Sequence, residues 1–297
     1  MAVNQLVKQS GFTLIELVIV ITLMSLVGQL VASLFTQPFR QYEDASRRAE
    51  LTSLTNAAVN RMQIDLQNAI PNSVRVDRDT SGSDIVTLEL LLTADGGRYR
   101  YADDSDKSET DALSPGYLDD QFHILSGLSS LTTIPTTHRM VVNPFNTAVL
   151  YSGASGAGTV GVITPDSTTL TLTKNAATNE DRIVFSTDIQ FDILGNGSPR
   201  KRFYITNTPV KYRCSEATGE LIRYTNYAVA SAVSTGVPAS SDAALVLNNI
   251  TDCDFLYNPG GISQRLGMVS IHLQITDPDQ DNESVNLVKQ VRVFNAP

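Results

Sequence analysis

An uninterrupted apolar run near the N-terminus constrains this chain more than any other feature of its sequence. No charged residue occurs from Leu17 to Phe39, a span of 23 residues. A helix of that length extends about 34 Å, which matches the apolar core of a bilayer. Lys8 precedes the run, Glu16 stands at its start, and the remaining residues carry the whole net charge of −9. This distribution predicts a single-pass protein with a cytoplasmic N-terminus and an external body.

The apolar run has three interpretations. It is a plain membrane anchor, a cleavable secretory signal with small residues at 31–33, or an anchor in which Glu16 has a role of its own. A carboxylate within an apolar segment costs about 2.5–3.5 kcal/mol at mid-helix and less near the end. A plain anchor gains nothing from that cost. Glu16 therefore predicts a positively charged partner that assembly brings to it.

The residues before the run, Gly-Phe-Thr-Leu-Ile-Glu at 11–16, resemble the prepilin signature of type IV pilins and type II secretion pseudopilins. The resemblance implies that a prepilin peptidase cleaves after Gly11 on the cytoplasmic side. It implies that Phe12 then becomes the N-methylated first residue of the mature chain. It also implies that Glu16 pairs with the N-terminal amine of a neighbouring subunit and so sets subunit register.

The helix is expected to continue beyond the membrane. Pro38 should kink or loosen it, and Ile70-Pro71 should end it. The continuation has an apolar stripe at Leu51, Leu54, Ala58, Met62, Leu66 and Ala69. Charged residues, Arg61 and Asp65 among them, are expected at the other positions.

The rest of the chain predicts mainly β structure. Short apolar or β-branched segments predict strands at residues 85–92, 168–173, 182–186, 202–206 and 210–214. Alternation over 269–276 predicts a half-buried strand that forms a C-terminal hairpin with 285–294. Polar or small-residue stretches at 101–115 and 228–243 predict excursions.

These patterns predict an α+β fold, in which a long transmembrane and amphipathic helix packs on a mainly antiparallel β-sheet domain. We divide the chain into four parts: a leader at residues 1–11, a transmembrane helix at 12–39, its amphipathic continuation at 40–70 and a periplasmic or extracellular β-rich head at 71–297.

The two cysteines, Cys214 and Cys253, form an even pair. If the head is exported to an oxidising compartment, they are expected to form a disulfide, and the alternative is two buried thiols. Closing a loop of about 40 residues stabilises a chain by about 4 kcal/mol on the chain-entropy estimate.

Internal motifs extend the resemblance to minor pilin-like proteins of the mannose-sensitive haemagglutinin (MSHA) pilus. These motifs are an arginine-rich start of the exposed helix, residues 65–76, a turn at Gly96-Gly97-Arg98-Tyr99-Arg100, and Tyr212-Arg213-Cys214 paired with Cys253. The architecture is also similar to J-type minor pseudopilins of type II secretion, for which this chain is long.

The acidic turn Asp277–Ser284 has carboxylates at alternate positions, in Asp277, Asp279, Asp281 and Glu283, as calcium loops do. It lacks the glycine and glutamate of an EF-hand, and some pseudopilins bind calcium in a C-terminal loop. The alternative is an acidic, solvated hairpin tip. A second acidic cluster at 103–111 has the same two interpretations.

No catalytic constellation is visible in the sequence. His123, His138 and His272 are scattered and are expected at the surface or in loops. The glycine-containing stretch at 153–158 lacks the Walker lysine, so we expect a separate cytoplasmic ATPase. The low pI, near 4.8, argues against nucleic-acid binding. Apart from calcium, no cofactor is expected.

The sequence thus predicts a minor pilin-like subunit that primes or caps an MSHA-type pilus. Its expected partners are the prepilin peptidase, the major pilin, other minor pilins and the inner-membrane assembly platform. The alternative is a pseudopilin of type II secretion, and a third interpretation is a membrane-anchored surface adhesin or enzyme. We expect the protein in the bacterial inner membrane with its head in the periplasm, and then at the pilus tip.

Overall fold

The structure is a computed structural model that describes residues 11–101, 112–125, 127–152, 161–174, 180–191, 197–260, 266–277 and 283–294. The chain divides into two units, Met1–Leu51 and Thr52–Pro297.

Helix α1 (Leu14–Gln67) begins one residue after Thr13 and runs through Pro38 without interruption. A proline ring removes one backbone donor, and the helix tolerates that loss. The helix ends three residues before Ile70-Pro71, because the residue before a proline disfavours helical geometry. Asn72, with a φ of 59°, then turns the chain toward the first strand.

The buried face of α1 within the second unit differs from the predicted stripe. Ala58, Met62 and Leu66 are buried as expected, but Leu54 is 47% exposed and Thr55 is fully buried in its place. The buried face of the helix is therefore rotated by one residue from the predicted stripe, and it includes Thr55 and Val59. Asp65, expected at the surface, is 4% exposed.

Twelve strands and one short helix follow α1 within the described residues. They are β1 (Arg75–Arg78), β2 (Ile85–Arg98), β3 (Leu118–Ile124), β4 (Arg139–Val142), α2 (Thr147–Ser152), β5 (Leu170–Thr173), β6 (Asp181–Gln190), β7 (Arg202–Ser215), β8 (Glu220–Thr225), β9 (Asp242–Leu247), β10 (Ile250–Asn258), β11 (Leu266–Thr276) and β12 (Ser284–Phe294).

The strands form three antiparallel sheets. The largest has the order β1-β2-β7-β8-β9, and β4 pairs with β7 as its sixth strand. The other two are the meander β10-β11-β12 and the sheet β3-β6-β5. Every pairing between these strands is antiparallel. The predicted α+β fold and the C-terminal hairpin are confirmed.

Strands β2 and β7 form the centre of the largest sheet. Both have 14 residues; β7 is buried over most of its length and β2 over half of it. On one edge of β7, β4 pairs with residues 203–206 and β8 pairs with residues 211–215. The sequence predicts two separate strands at 202–206 and 210–214, but the structure has the single strand β7. Pro209 lies between the stretches that pair with β4 and β8, so its missing backbone donor does not interrupt the strand.

The predicted turn at residues 96–100 is wrong. Gly96, Gly97 and Arg98 belong to β2 and pair with Tyr204, Phe203 and Arg202 of β7. A Cβ on Gly96 would lie 2.8 Å from the carbonyl oxygen of Phe203. The glycine is therefore explained by close strand packing and not by a chain reversal.

Among the described residues, two apolar clusters pack around this sheet. One joins the inner side of β3, β5 and β6 to Met140, Val142, Phe203 and Ile205. In it the ring of Phe122 lies 5.8 Å from the rings of Phe185 and Phe203. The second gathers Ile70, Leu91, Val141, Leu150, Tyr151, Val162 and Ile163. Large buried side chains such as these supply most of the stabilising free energy of a head of this size.

Candidate functional site

The N-terminal segment begins its helix with a local cap. The backbone amide of Glu16 lies 3.1 Å from the carbonyl oxygen of Thr13 and 3.4 Å from its hydroxyl. That hydroxyl in turn lies 3.5 Å from the carboxylate of Glu16. Thr13 thus caps the helix at the Ser/Thr-x-x-Glu spacing of a capping box, with Glu16 as the third helical residue and its carboxylate on the Thr13 hydroxyl and not on the Thr13 backbone amide. The Ser/Thr-x-x-Glu spacing is visible in the sequence, and the interpretation of Glu16 by charge alone overlooked it.

The large apolar side chains that follow are all exposed. Leu14 is 82% and Met24 is 71% exposed, and none of the large apolar side chains from Phe12 to Leu34 is buried. One helix within the described residues is long and apolar enough to cross a membrane, with a mean hydropathy of 2.3 over 18 residues. So much apolar surface requires either lipid or other protein around it.

Glu16 is the one charged residue of the described segment from Gly11 to Phe39. Within the described part of the chain it forms no ion pair, and its contact is with Thr13. A positively charged partner for Glu16 must therefore come from outside the described residues. Gly11 precedes the helix with open space around its Cα, and Phe12 is 77% exposed, so the bond between them is accessible.

Residues 6–28 match the family described as Prokaryotic N-terminal methylation motif. The chain carries a type IV pilin-like signal. The match covers 23 of the 297 residues and concerns the signal, not the head. No curated protein and no solved structure matches the chain. The signal supports a type IV pilin-like or pseudopilin protein, and with the single apolar helix it is consistent with single-pass membrane anchoring.

Beyond the pilin-like signal, a disulfide connects two sheets of the head. Cys214 of β7 and Cys253 of β10 are bonded, with their Cα atoms 6.5 Å apart. The carboxylate of Glu216 accepts the backbone amide of Cys253 at 3.3 Å. Arg78 of β1 pairs with Asp254 and donates to the carbonyl of Phe255 at 2.8 Å. The predicted disulfide is confirmed, and it holds the C-terminal meander to the largest sheet.

Asp65 of α1 anchors the helix to the largest sheet. Its carboxylate accepts hydrogen bonds from the hydroxyl of Tyr212 at 2.6 Å and from the Nε of Arg223 at 2.8 Å. Burial and the neighbouring Asp65 carboxylate raise the pKa of Tyr212. The carboxylate is paired and hydrogen-bonded on this face, which explains why a charged residue is buried in the stripe of the helix.

A second buried network was not predicted from the sequence. Arg75, Glu89 and Lys211 occupy one row across β1, β2 and β7. The Nε of Arg75 donates to Glu89 at 2.6 Å, and the hydroxyl of Tyr227 donates to the other oxygen of Glu89 at 2.9 Å. The guanidinium of Arg75 stacks over the ring of Tyr151, with its Cζ atom 3.6 Å from the ring centre. Burial, followed by the Glu89 charge, raises the pKa values of both tyrosines.

The same row, together with Arg213 two residues further along β7, holds the segment of residues 227–241, which we call the strap, across the sheet. Arg75 donates to the carbonyls of Ala230 and Ser231, at 2.9 and 3.0 Å. Lys211 and Arg213 donate to the carbonyls of Ser234 and Thr235, at 2.8 and 2.9 Å. The excursion predicted at 228–243 is therefore tied down by cations at residues 230–235, and its last two residues belong to β9.

The acidic turn between β11 and β12 is described only at its two ends. Asp277 donates its backbone amide to the carbonyl of Glu283 at 2.9 Å, which closes the hairpin. Asp279 and Asp281 lie outside the described residues, as does the second acidic cluster at 103–111. The described residues contain no group of three or more metal-ligating side chains. The calcium prediction remains untested.

The three histidines lie on separate elements. His123 is on β3 with 13% of its side chain exposed, and its Nδ1 lies 3.6 Å from the carboxylate of Glu180. His138 precedes β4 and is 9% exposed, and burial lowers its pKa. His272 of β11 contacts Asn286 at 3.0 Å. The prediction of surface or loop positions is wrong for His123, because β3 is paired and packed on β6. The glycine-containing stretch at 153–158 lies outside the described residues.

Proposed function

We propose that this chain is a minor pilin-like subunit that takes part in the assembly of a type IV pilus of the MSHA type, at the priming or tip complex. The observation that carries the proposal is the N-terminal segment, in which an accessible Gly11–Phe12 bond precedes a fully exposed apolar helix. A prepilin peptidase would cut that bond. The apolar helix would keep the subunit in the inner membrane and then pack among the helices of the filament.

The role of Glu16 follows from the cost of a charge in apolar surroundings. In a helix bundle, a carboxylate without a partner is strongly unfavourable, and a complementary amine offsets that cost. The amine at Phe12 of a neighbouring subunit supplies such a partner and fixes the axial position of the helix. The major pilin, other minor pilins and an assembly platform with a separate ATPase are the partners we propose. The head is proposed to act by contact and not by catalysis.

The assignment to the MSHA pilus is supported by the internal motifs that resemble the MSHA biogenesis protein MshO. The size of the head supports a tip position, since 227 residues are bulky for dense helical packing. The same signal occurs in type II secretion pseudopilins. A deletion strain that loses pili and keeps its secreted enzymes supports the pilus role, and the reverse phenotype supports the pseudopilin.

Substitution of Glu16 tests the proposal, provided that capping and charge are separated. Glu16→Gln keeps a side chain that suits a capping box but removes the charge. We expect it to be processed and inserted like the wild type, and to be at least tenfold depleted from sheared filaments. Thr13→Val removes the capping hydroxyl but leaves the charge, and it should enter filaments normally. Normal incorporation of Glu16→Gln would contradict the pairing of Glu16 with an amine.

A further inference from the structure

We infer that the head contains a binding site for an acidic saccharide, in a cavity between the end of α1, the start of β7 and the end of β12. The cavity has a volume of about 620 Å³, which lies in the range of small-molecule sites. All of its lining residues belong to the unit that begins at Thr52. The binding site itself is argued from the head alone, and only its display on a filament rests on the proposed function.

The floor of the cavity comes from the pairing of β2 with β7. Gly96 is opposite Tyr204 and Arg98 is opposite Arg202, so all four point to one face of the sheet. The glycine leaves this face without a side chain beside Tyr204. The Gly-Gly-Arg motif, which the sequence suggested as a turn, thus belongs to the paired strands and places Arg98 on the face that carries Arg202 and Tyr204.

The face is strongly positive in a chain whose net charge is −9. Arg200 and Arg202 line the cavity, and the Nε of Arg98 donates to the carbonyl of Arg200 at 3.3 Å. No ion pair between described residues involves any of these three arginines. Burial raises the pKa of Tyr204, and a side-chain hydrogen bond with Arg202 and the charges of Arg202 and Arg200 oppose that rise. The guanidinium fork matches a planar carboxylate through two parallel hydrogen bonds.

The other walls favour a saccharide over a simple anion. The cavity is lined by the rings of Tyr204 and Phe294 and by the side chains of Gln67 and Asn68. Phe294 is 67% exposed, although it ends a strand that packs on the head. The Nδ2 of Asn68 donates to the carbonyl of Ile64 at 3.0 Å, which fixes the side-chain amide in place. Aromatic rings pack on the C–H face of a sugar ring, amides bond to its hydroxyl groups, and arginine binds its carboxylate. An inorganic anion would use the arginines alone.

Isothermal titration calorimetry of the full mature chain in detergent tests this site. The probe is trigalacturonic acid, and the matched neutral probe is maltotriose. We expect the acidic trisaccharide to bind at least tenfold more tightly than the neutral one, with an affinity that falls as salt is added. Arg202→Gln should weaken binding of the acidic trisaccharide at least tenfold. Arg182→Gln makes the same charge change on β6, outside the cavity, and should bind like the wild type.

A second variant keeps the charge and removes a ring. Phe294→Ala should weaken trigalacturonate severalfold without changing the weak binding of inorganic phosphate. Equal affinities of the wild type and Arg202→Gln for trigalacturonate would overturn the inference, as would tighter binding of phosphate or of a hexaglutamate peptide. A chain that binds trigalacturonate but never enters filaments would leave this site established and the proposed function refuted.

Discussion

At the scale of single residues, the buried carboxylate of Glu89 explains how a polar strap is held on an otherwise apolar sheet. Its side chain is 2% exposed and bonds both Arg75 and Tyr227. Arg75 in turn bonds two carbonyls of the strap. A buried ion pair contributes little net stability compared with apolar side chains, but loss of one partner is costly because the other charge remains buried.

We therefore expect Glu89→Ala to destabilise the head by about 3–5 kcal/mol. Urea unfolding of the full chain in detergent, followed by far-UV circular dichroism, measures the change. Asp188→Asn removes an exposed carboxylate from β6 and should change stability by less than about 0.5 kcal/mol. A Glu89→Ala protein as stable as Asp188→Asn would show that the buried row does not hold the strap.

The stability of the head is expected to depend on pH through Asp119 of β3. Burial, with a smaller effect of the Asp120 charge, raises its pKa from 3.8 to about 6, although it accepts the amide of Ser114 at 2.7 Å. The folded state therefore binds more protons than the unfolded state between these two values, and this carboxyl group lowers stability as the pH rises through them. Asp119→Asn should gain stability relative to the wild type when the pH is raised from about 4 to about 7. Parallel pH dependences of the two proteins in urea unfolding would contradict the shift.

Residue-level roles were predictable only where the sequence pattern is local. The capping box of Thr13 and Glu16 is a spacing that can be recognised without a fold. Glu89 and Asp65 are different, because their hydrogen-bond partners lie 14 to 158 positions away. A single acid in the apolar strand at 85–92 is a signal of a buried ion pair, but the sequence does not identify its partner.

At the scale of elements, the rotation of the buried face of α1 shows the limit of periodicity. Ala58, Met62 and Leu66 are common to the predicted and observed faces, so the spacing was correct. Whether Leu54 or Thr55 is buried depends on which side of the helix, relative to Ala58, Met62 and Leu66, packs against the sheet. Tyr212 and Arg223 bond Asp65 and thereby select the side with Thr55, and hydrophobicity alone favours the other side.

The strands that were missed are short or polar, although the four-residue strand β5 was predicted. Strand β4 has four residues, and its burial comes from pairing with β7 and not from its own alternation. Strand β8 begins at a tight turn, in which Gly219 has a φ of 68°. Pro209 suggested a break in β7, but the strand continues because Pro209 lies between the stretches that pair with β4 and β8.

The disulfide is an element-scale brace whose removal is measurable. The double substitution of Cys214 and Cys253 by alanine should destabilise the head by about 2–5 kcal/mol, since it frees a loop of 39 residues in the unfolded chain. Urea unfolding measures the loss, and the reduced wild type should behave like the double variant. A loss below about 1 kcal/mol would mean that Arg78 and the meander's apolar face hold the two sheets without the bond.

At the scale of the whole molecule, the α+β class and the long helix were predictable, but the division of the strands among three sheets was not. Strand β2 pairs with β7, more than a hundred residues away, and β3 pairs with β6 and not with its chain neighbour. Such pairings depend on long-range packing, which local patterns do not encode. The N-terminal signal is local, and for this reason the sequence identifies it and the match over residues 6–28 supports it.

The pilin-like role of this protein depends on the fate of its N-terminus. Mass spectrometry of sheared, purified filaments tests it most directly, with this protein quantified against the major subunit and its first residue determined. We predict a trace component that begins at N-methylated Phe12. A mature chain that begins near Leu34 would identify an ordinary secretory signal and contradict the pilin-like account. A Phe12-terminated chain that is confined to the inner membrane and absent from filaments would contradict the tip position.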